Sequence, residues 1–503
     1  MSLNPEPAAP EERAQQALPP KSYADAAEEA LEPESHANKT DGTLEHTPTR
    51  PRSKIDQVRA NGIKIPSDED KESLEGVGQD ASPKSPTVKG HRRVGSRSSH
   101  GSLGRKHGEQ IQNELYEKHQ NGNGDALTSV KPPQELEKVG RTDRLKRRNS
   151  ELKSGRQAGA GWARSKIRFA PMNVPLQRRL QTLAVLMHTL SIVGGLAIFF
   201  FLCSIPLLWP ILLPYTVYVL FSNAGTSGEL SLRSERLRRL KVWSLFASYF
   251  PARLHRSQEL EPTRKYIFGY HPHGIISHGA FAAFATEALG FSQLFPGITN
   301  ALLTLDSNFR YPIYREYALR LGMASVSRES CENLLSKGGP NGEGMGRAIT
   351  IVVGGARESL DARPGTVRLV LRRRKGFVKM AIRTGADLVP VLAFGENDVY
   401  DQFDTESHPY IHKFQLLVKK VMGFTVPIFH ARGIFNYDVG MMPYRRPINI
   451  VVGRPIRVAQ DKHPDPAYLD EVHEQYITEL LRIWNEHKDT FAKNRTGELE
   501  IVE

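Results

Sequence analysis

From Leu180 to Gly228 the chain carries no Asp, Glu, Lys or Arg. Within this stretch Leu183–Phe201 is rich in Leu, Val, Ile and Phe, and it reaches the length of about 20 residues that a bilayer-crossing helix requires. A second apolar run, Ile211–Phe221, follows, and Pro206, Pro210 and Pro214 lie around the junction. Prolines at that spacing are expected to kink or interrupt a helix. The pattern predicts a transmembrane or re-entrant helical hairpin over residues 180–228, joined near Pro206–Pro214. The competing reading is a buried helix of a soluble core, for which so long an uncharged run is unusual. His188 sits inside the run, either as a satisfied neutral side chain or as a functional intramembrane group.

The pattern changes after residue 240. Short apolar runs alternate with helical periodicity, with strands expected at Tyr266–Phe268, Ala348–Val353, Thr366–Leu371, Leu388–Phe394 and Ile448–Val452. A helix is expected at Gly376–Ile382. Asp465-Pro466 reads as an N-cap and first-turn proline. Beyond it Tyr468, Leu469, Val472, Tyr476, Leu480 and Trp484 recur at helical spacing, a stripe that reads as core contact. Strands alternating with helices define an α/β domain with a largely parallel sheet over residues 240–495.

Residues 1–165 have neither pattern. Before Trp162 the only aromatic residues are Tyr23 and Tyr116, so this region cannot build a core and is expected to be a disordered tail. Its charge is graded: residues 1–50 hold 10 acidic and 4 basic side chains, residues 51–170 hold 15 acidic and 25 basic. No apolar run opens the chain, so no cleavable signal peptide is expected. Basic stretches at 91–93 and 144–148 lie beside Ser96, Ser98, Ser99 and Ser150, as in a solvated tail or a phosphorylation-controlled contact with anionic lipid.

The whole chain of 503 residues has a net charge of +13, which leaves nucleic acid, anionic membranes and phosphate-bearing ligands open as partners. The charge clusters at the hairpin narrow this. Arg164, Lys166, Arg168, Arg178 and Arg179 precede it; Arg233, Arg236, Arg238, Arg239 and Lys241 follow it. Cationic flanks on both sides place both ends on the cytosolic side. A nucleic-acid binder would explain the charge but not the uncharged run. The only two cysteines, Cys203 and Cys331, exclude a disulfide framework and a cysteine-rich zinc site.

Candidate chemistry follows the strands. His271-Pro272-His273-Gly274 comes directly after the strand at Tyr266–Phe268, where the active crevice of an open α/β sheet lies. Either imidazole could act as general base, and Gly274 admits close approach of a ligand. A His-x-His pair also occurs in zinc sites, but no cysteine and few carboxylates stand nearby in sequence. Gly354-Gly355-Ala356-Arg357-Glu358 follows the strand at Ala348–Val353, expected to be a neighbour. Amides in such a turn can hold an oxyanion or phosphate. Glu358 could orient an imidazole or an alcohol, and Arg357 could meet a phosphate. Arg372-Arg373-Arg374-Lys375 precedes a helix and suits a phosphorylated ligand, lipid headgroups or plain solvent. There is no Gly-x-Ser-x-Gly elbow and no Walker lysine.

Taken in order, Tyr249-Phe250-Pro251, His271-Pro272-His273-Gly274, the block Arg310 to Arg328, Gly354 to Leu360, Arg374 to Val378, Gly395-Glu396-Asn397-Asp398 and Gly453-Arg454-Pro455-Ile456 resemble the type-2 diacylglycerol acyltransferase family. The resemblance covers about residues 180–490, and the long tail is similar to the variable N-termini of fungal members. It implies a glycerolipid-acyltransferase-like mixed sheet with flanking helices. It also implies an endoplasmic-reticulum membrane enzyme that reaches lipid droplets, with acyl-CoA and diacylglycerol as substrates and no metal or other cofactor. By the same resemblance His273 is the base. Related acyltransferases carry an acid five residues beyond that histidine; here the position is His278, and Glu358 is the expected substitute. The alternatives are an acyl-CoA acyltransferase acting on monoacylglycerol, a long-chain alcohol or a sterol, and a non-enzymatic lipid-droplet hairpin protein. A homo-oligomer is compatible with all of them.

Overall fold

A computed structural model describes residues 115–119, 126–132, 173–402 and 428–502, with isolated residues at 167, 169–171, 410 and 417. The serines and basic stretches of the tail, and Arg164, Lys166 and Arg168, lie outside the described residues.

The domain is built on a nine-stranded sheet in the order β1-β2-β3-β12-β9-β4-β7-β5-β6. The strands are β1 (Tyr116–His119), β2 (Leu127–Val130), β3 (Arg253–Arg256), β4 (Tyr266–His271), β5 (Thr299–Thr304), β6 (Ala324–Ser325), β7 (Arg347–Val352), β9 (Asp387–Phe394) and β12 (Asn449–Val452). From β9 through β4, β7 and β5 to β6 every pairing is parallel. β12 joins β9 antiparallel, which makes the sheet mixed. β8 (Val367–Val370) was expected to belong to the main sheet. It pairs instead with β13 (Leu499–Val502), and β10 (Asp401–Gln402) pairs with β11 (Phe429–His430).

The sheet divides two apolar cores, because alternate residues of β4 point to opposite faces. Tyr266, Phe268 and Tyr270 pack with Trp243, Phe246 and Phe250 and with Ala184 and Val185. On the other face Ile267 lies with Val378 and Ile382 of the helix Gly376–Thr384 and with Leu480 and Ile483 of the C-terminal helix. That last helix, Pro466–Phe491, starts as its sequence predicts: the Asp465 side chain accepts from Ala467 N–H, and Pro466 occupies the first turn. Its stripe is core, with Leu469, Val472, Tyr476, Leu480 and Trp484 buried.

The uncharged run forms three helices: α1 (Leu176–Thr189), α2 (Ser191–Cys203) and α3 (Trp209–Phe221). Besides the break at Pro206, the run bends at a place that holds no proline. α1 and α2 meet at 67°. Thr189 Oγ1 donates back to Val185 O (2.6 Å) and Ser191 Oγ to His188 O (2.7 Å), bonds that bend helices. Pro206 opens a short 3₁₀ turn, whereas Pro210 and Pro214 are accommodated inside α3. Among the described residues no single helix is long and apolar enough to cross a membrane, and α1 with α2 would do so only as a bent pair. α2 buries only Gly195 and α3 only Val219. Phe200, Phe201, Leu207, Ile211, Leu213 and Phe221 are exposed, leaving a large apolar face without cover. The helices are still tied to the domain, for Tyr215 Oη donates to Glu316 Oε2 (2.7 Å) and accepts from Ile313 N–H (2.7 Å). Within the expected cationic flank, Arg238 is fully buried and donates to Ala285 O (2.8 Å) and Leu321 O (2.7 Å). It is a structural residue and not a headgroup contact.

The tail also departs from expectation at one place. β1 and β2 form an antiparallel hairpin that adds to β3, with Ser129 opposite His255. Leu127 is 1% exposed, and Tyr116 Oη donates to Gln293 O (3.0 Å). Four-residue strands of mixed polarity give too weak a pattern to stand out in a polar tail. Removing residues 1–110 should leave the thermal midpoint unchanged. Removing 1–160 strips an edge and exposes the Leu127 contact, worth about 2 kcal/mol by burial of one leucine. The midpoint should fall by several degrees, read by thermal unfolding in detergent. Equal midpoints for both truncations would show that the hairpin contributes nothing.

Candidate active site

The loop that follows β4 is fixed at both ends by buried glutamates. At its start, Glu358 Oε1 accepts the backbone N–H of His273 (2.5 Å) while Oε2 accepts Val370 N–H (2.9 Å) from the end of β8. At its far end, Glu396 Oε2 accepts from Tyr270 Oη (2.6 Å) and from Gly279 N–H (2.9 Å). Burial pushes both carboxyls up to about 7, although the bonds they accept pull the other way. Glu358 therefore does not orient the imidazole ring, as the sequence suggested. It orients the main chain that carries the ring.

The glycines are explained by these contacts. Gly354 and Gly355 follow β7, which pairs directly with β4 as expected. A Cβ on Gly354 would lie 2.1 Å from Glu358 Oε2, so the carboxylate folds back over the space that glycine leaves. Gly274 has φ of +60°, and a Cβ there would lie 2.8 Å from Glu396 Cγ.

The two histidines of the motif separate at this loop. His271 is the last residue of β4 and is fully buried. Tyr476 Oη donates to Gly269 O (3.0 Å) and so accepts from His271 Nε2 (2.9 Å). That bond places the proton on Nε2. Burial pulls His271 down to about 3, and the ring stays neutral. It is a positioning residue. His273 is half-buried, and its Nδ1 donates to Gly274 O (3.0 Å). The proton therefore sits on Nδ1, leaving the Nε2 lone pair available. Burial lowers this pKa too, so the ring is a neutral acceptor near pH 7. Ser277 Oγ closes the turn by donating to His273 O (2.7 Å). Pro272 is buried between the two rings. His278, at the position of the missing acid, is buried and shares a hydrogen bond of 2.9 Å with Tyr400 Oη; burial pulls it down to about 3.

His273 lines a cavity of about 340 Å³. The rest of its wall comes from the α1–α2 bend (His188, Thr189, Ser191, Ile192), from Ile275, Phe281 and Leu302–Leu305, and from Gly355, Ala356 and Ser359. The lining is mostly apolar, with the imidazoles of His273 and His188 and the first residues of the Gly355–Leu360 helix. His188 shares a hydrogen bond of 3.0 Å with Tyr317 Oη and stacks on Phe281 at 3.7 Å.

The expected cationic run does not act as one surface. Arg374 is 6% exposed and near enough to Glu358 to lower its pKa. Lys375 Nζ pairs with Asp470 Oδ1 at 2.5 Å. Arg372 and Arg373 are exposed, as is Arg357 on the helix that carries Glu358. The sequence did not single out Tyr476 for its hydroxyl, or Glu396 for its carboxylate. The only signal was that a tyrosine occupies the apolar stripe of the last helix, and a glutamate stands two residues beyond the end of β9.

The site thus presents the neutral imidazole of His273 to a mostly apolar cavity beyond the carboxyl end of β4. The family model described as diacylglycerol acyltransferase matches residues 200–502. The chain is 49% identical over 340 residues to diacylglycerol O-acyltransferase 2A of Umbelopsis ramanniana, covering 67% of this chain and 94% of that one. It is 46% identical to diacylglycerol O-acyltransferase 1 of Schizosaccharomyces pombe (64% and 91% covered). It is also 43% identical to 2-acylglycerol O-acyltransferase 1 of Bos taurus (65% and 97% covered). The protein belongs to the diacylglycerol acyltransferase family. A solved acyltransferase, PlsC of Thermotoga maritima, matches 61% of this chain and 97% of its own at 14% identity and a TM-score of 0.29, and nothing is built on that likeness.

Glu358→Ala should leave two buried amides without acceptors, each costing about 1–3 kcal/mol. Transfer activity should be lost. Glu358→Gln keeps an acceptor oxygen and should retain part of the activity. Gly354→Ala, at a φ of −63° that alanine adopts freely, should resemble Glu358→Ala by displacing the carboxylate. The raised carboxyl also predicts a pH effect. Its contribution to stability is complete below 4.5 and lost as pH rises through about 7. Between pH 5 and 8 the thermal midpoint should therefore fall less steeply in Glu358→Gln than in the wild type. Full activity in Glu358→Ala would refute the clamp.

Proposed function

We propose that the protein transfers an acyl group from acyl-CoA to the free hydroxyl of diacylglycerol, forming triacylglycerol. The observation that carries this reading is His273, with an available Nε2 lone pair, on the wall of an apolar cavity in a chain of this family. The thioester is already activated, so no covalent enzyme intermediate is required. His273 Nε2 takes the hydroxyl proton as the oxygen attacks the thioester carbon. The oxyanion meets the amides of Gly355 and Ala356. Collapse breaks the C–S bond, and the departing CoA thiolate regains the proton from His273. Arg357, Arg372 and Arg373 are the exposed cations suited to the CoA phosphates, whereas Arg374 and Lys375 serve the fold. No step calls for a metal or redox group.

The exposed apolar side chains of α2 and α3 support placing α1–α3 in the endoplasmic-reticulum membrane, entering and leaving on one side, with both termini cytosolic. Diacylglycerol then reaches the cavity from the bilayer, because the α1–α2 bend forms its wall. The same face fits the surface of a lipid droplet. A monoacylglycerol acceptor is the second reading, favoured by the identity with the bovine 2-acylglycerol enzyme.

Purified full-length protein in phospholipid–detergent micelles, given labelled oleoyl-CoA, should acylate dioleoylglycerol faster than monoolein, a long-chain alcohol or a sterol. Because burial holds the His273 imidazole below its ordinary value of 6.5, the acid limb of kcat/KM should be centred below pH 6.5. Preference for another acceptor would replace the proposed substrate. An acid limb centred above pH 6.5 would remove His273 as the base.

A further inference from the structure

A second cavity, of about 440 Å³, lies along α1 from Arg178 to Leu186 and shares no lining residue with the cavity of His273. Its apolar wall includes Leu180, Leu183 and Leu186 of α1 and Ile434 and Phe435 from the segment between β11 and β12. Arg178, Arg179, Arg432 and Arg445 also line it, and among the described residues no Asp or Glu does. The wall is a built structure. Ala170 N–H donates to Phe435 O (2.7 Å), and Arg445 donates to Gln181 Oε1 (2.5 Å) and to Arg178 O (2.9 Å) while lying 4.1 Å above the Tyr249 ring. Burial pulls the Arg445 guanidinium down to about 10, a desolvation that a nearby anion would offset. The rim is apolar and open: Phe435 is 77% exposed and Leu183 58%.

We infer that this pocket binds one phospholipid with an anionic headgroup, an acyl chain between α1 and the 434–435 segment and the phosphate against the arginines. The inference rests on the reading that α1–α3 lie against a bilayer. Four arginines on a lining whose described residues include no carboxylate favour an anion. The exposed apolar rim continues the uncovered face of α1, so the mouth meets hydrocarbon and not the water that a free nucleotide would need. The pocket runs along α1 as far as Leu186, and His188 and Thr189 at the end of the same helix line the cavity of His273. A lipid seated here therefore steadies the helix that walls the site of acyl transfer.

The test is photo-crosslinking of full-length protein in vesicles that contain either phosphatidylglycerol or phosphatidylcholine with a diazirine in the acyl chain. The attraction of a single basic residue near a bilayer corresponds to about a fivefold enrichment of anionic over neutral lipid. Labelling of residues 174–186 and 432–437 should exceed the phosphatidylcholine yield by at least that factor. Arg178→Gln/Arg179→Gln should lose the preference there, with labelling of α2 and α3 unchanged. Equal labelling of the pocket by the two lipids would overturn the inference while leaving the membrane reading intact. So would displacement of phosphatidylglycerol by a non-hydrolysable acyl-CoA thioether, which would make the pocket a substrate site. Absence of labelling on α2 and α3 by either lipid would instead overturn the membrane reading and the inference with it.

Discussion

A single buried carboxylate, Glu358, joins the histidine loop after β4 to the end of β8 through two backbone amides. Buried amides must be paired, and a carboxylate in low dielectric must collect donors or take up a proton. Here one group meets both demands. Much of the site depends on it. Gly354 exists to leave room for it, its helix presents Gly355 and Ala356 to the cavity, and Arg374 is drawn inside beside it. Glu396 repeats the device at the other end of the loop. Two rigid ends leave His273 little freedom to choose another orientation, as preorganised catalysis requires.

The sheet also sorts the chemistry by face. Tyr270 points toward the core shared with α1, while Gly269 and His271 meet Tyr476 of the last helix. The chain leaves the strand at His271 and turns, and His273 emerges at the cavity wall. The α1–α2 bend thus lines the same cavity as His273, which in the proposed reaction brings an apolar acceptor and a proton acceptor together.

Much of this was legible in the sequence. The strands β4, β7, β9 and β12 were marked by apolar runs, and the two motifs lay directly after adjacent parallel strands. The capped last helix and its buried stripe were also plain. Sidedness was not. His271 and His273 stand two apart, so an extended strand would put both on one face; only the end of β4 separates them. The role of Glu358 was misread because a carboxylate near a histidine suggests a ring partner, and sequence cannot show that backbone amides claim it first. The run Arg372–Lys375 looked uniform, yet its four side chains divide between solvent, an ion pair and the interior. The helix break was expected near Pro206–Pro214, where a 3₁₀ turn separates α2 from α3; the bend between α1 and α2 carries no proline and coincides with Thr189 and Ser191 bonding back to the helix. β8 was expected in the main sheet because periodicity identifies a strand but not its neighbour. The β1–β2 hairpin was missed because its stability comes from pairing with β3, a contact more than a hundred residues away.

The most direct test of the account is single-turnover transfer from labelled acyl-CoA to diacylglycerol by purified His273→Ala and His271→Ala proteins that stay folded in micelles. Loss of a general base costs about 10²–10⁴ in rate. His273→Ala should lose at least that much while still binding a non-hydrolysable acyl-CoA thioether. His271→Ala should lose activity together with thermal stability, because it empties the space beside Tyr476. A His273→Ala protein that turns over at near the wild-type rate would contradict the account at its centre.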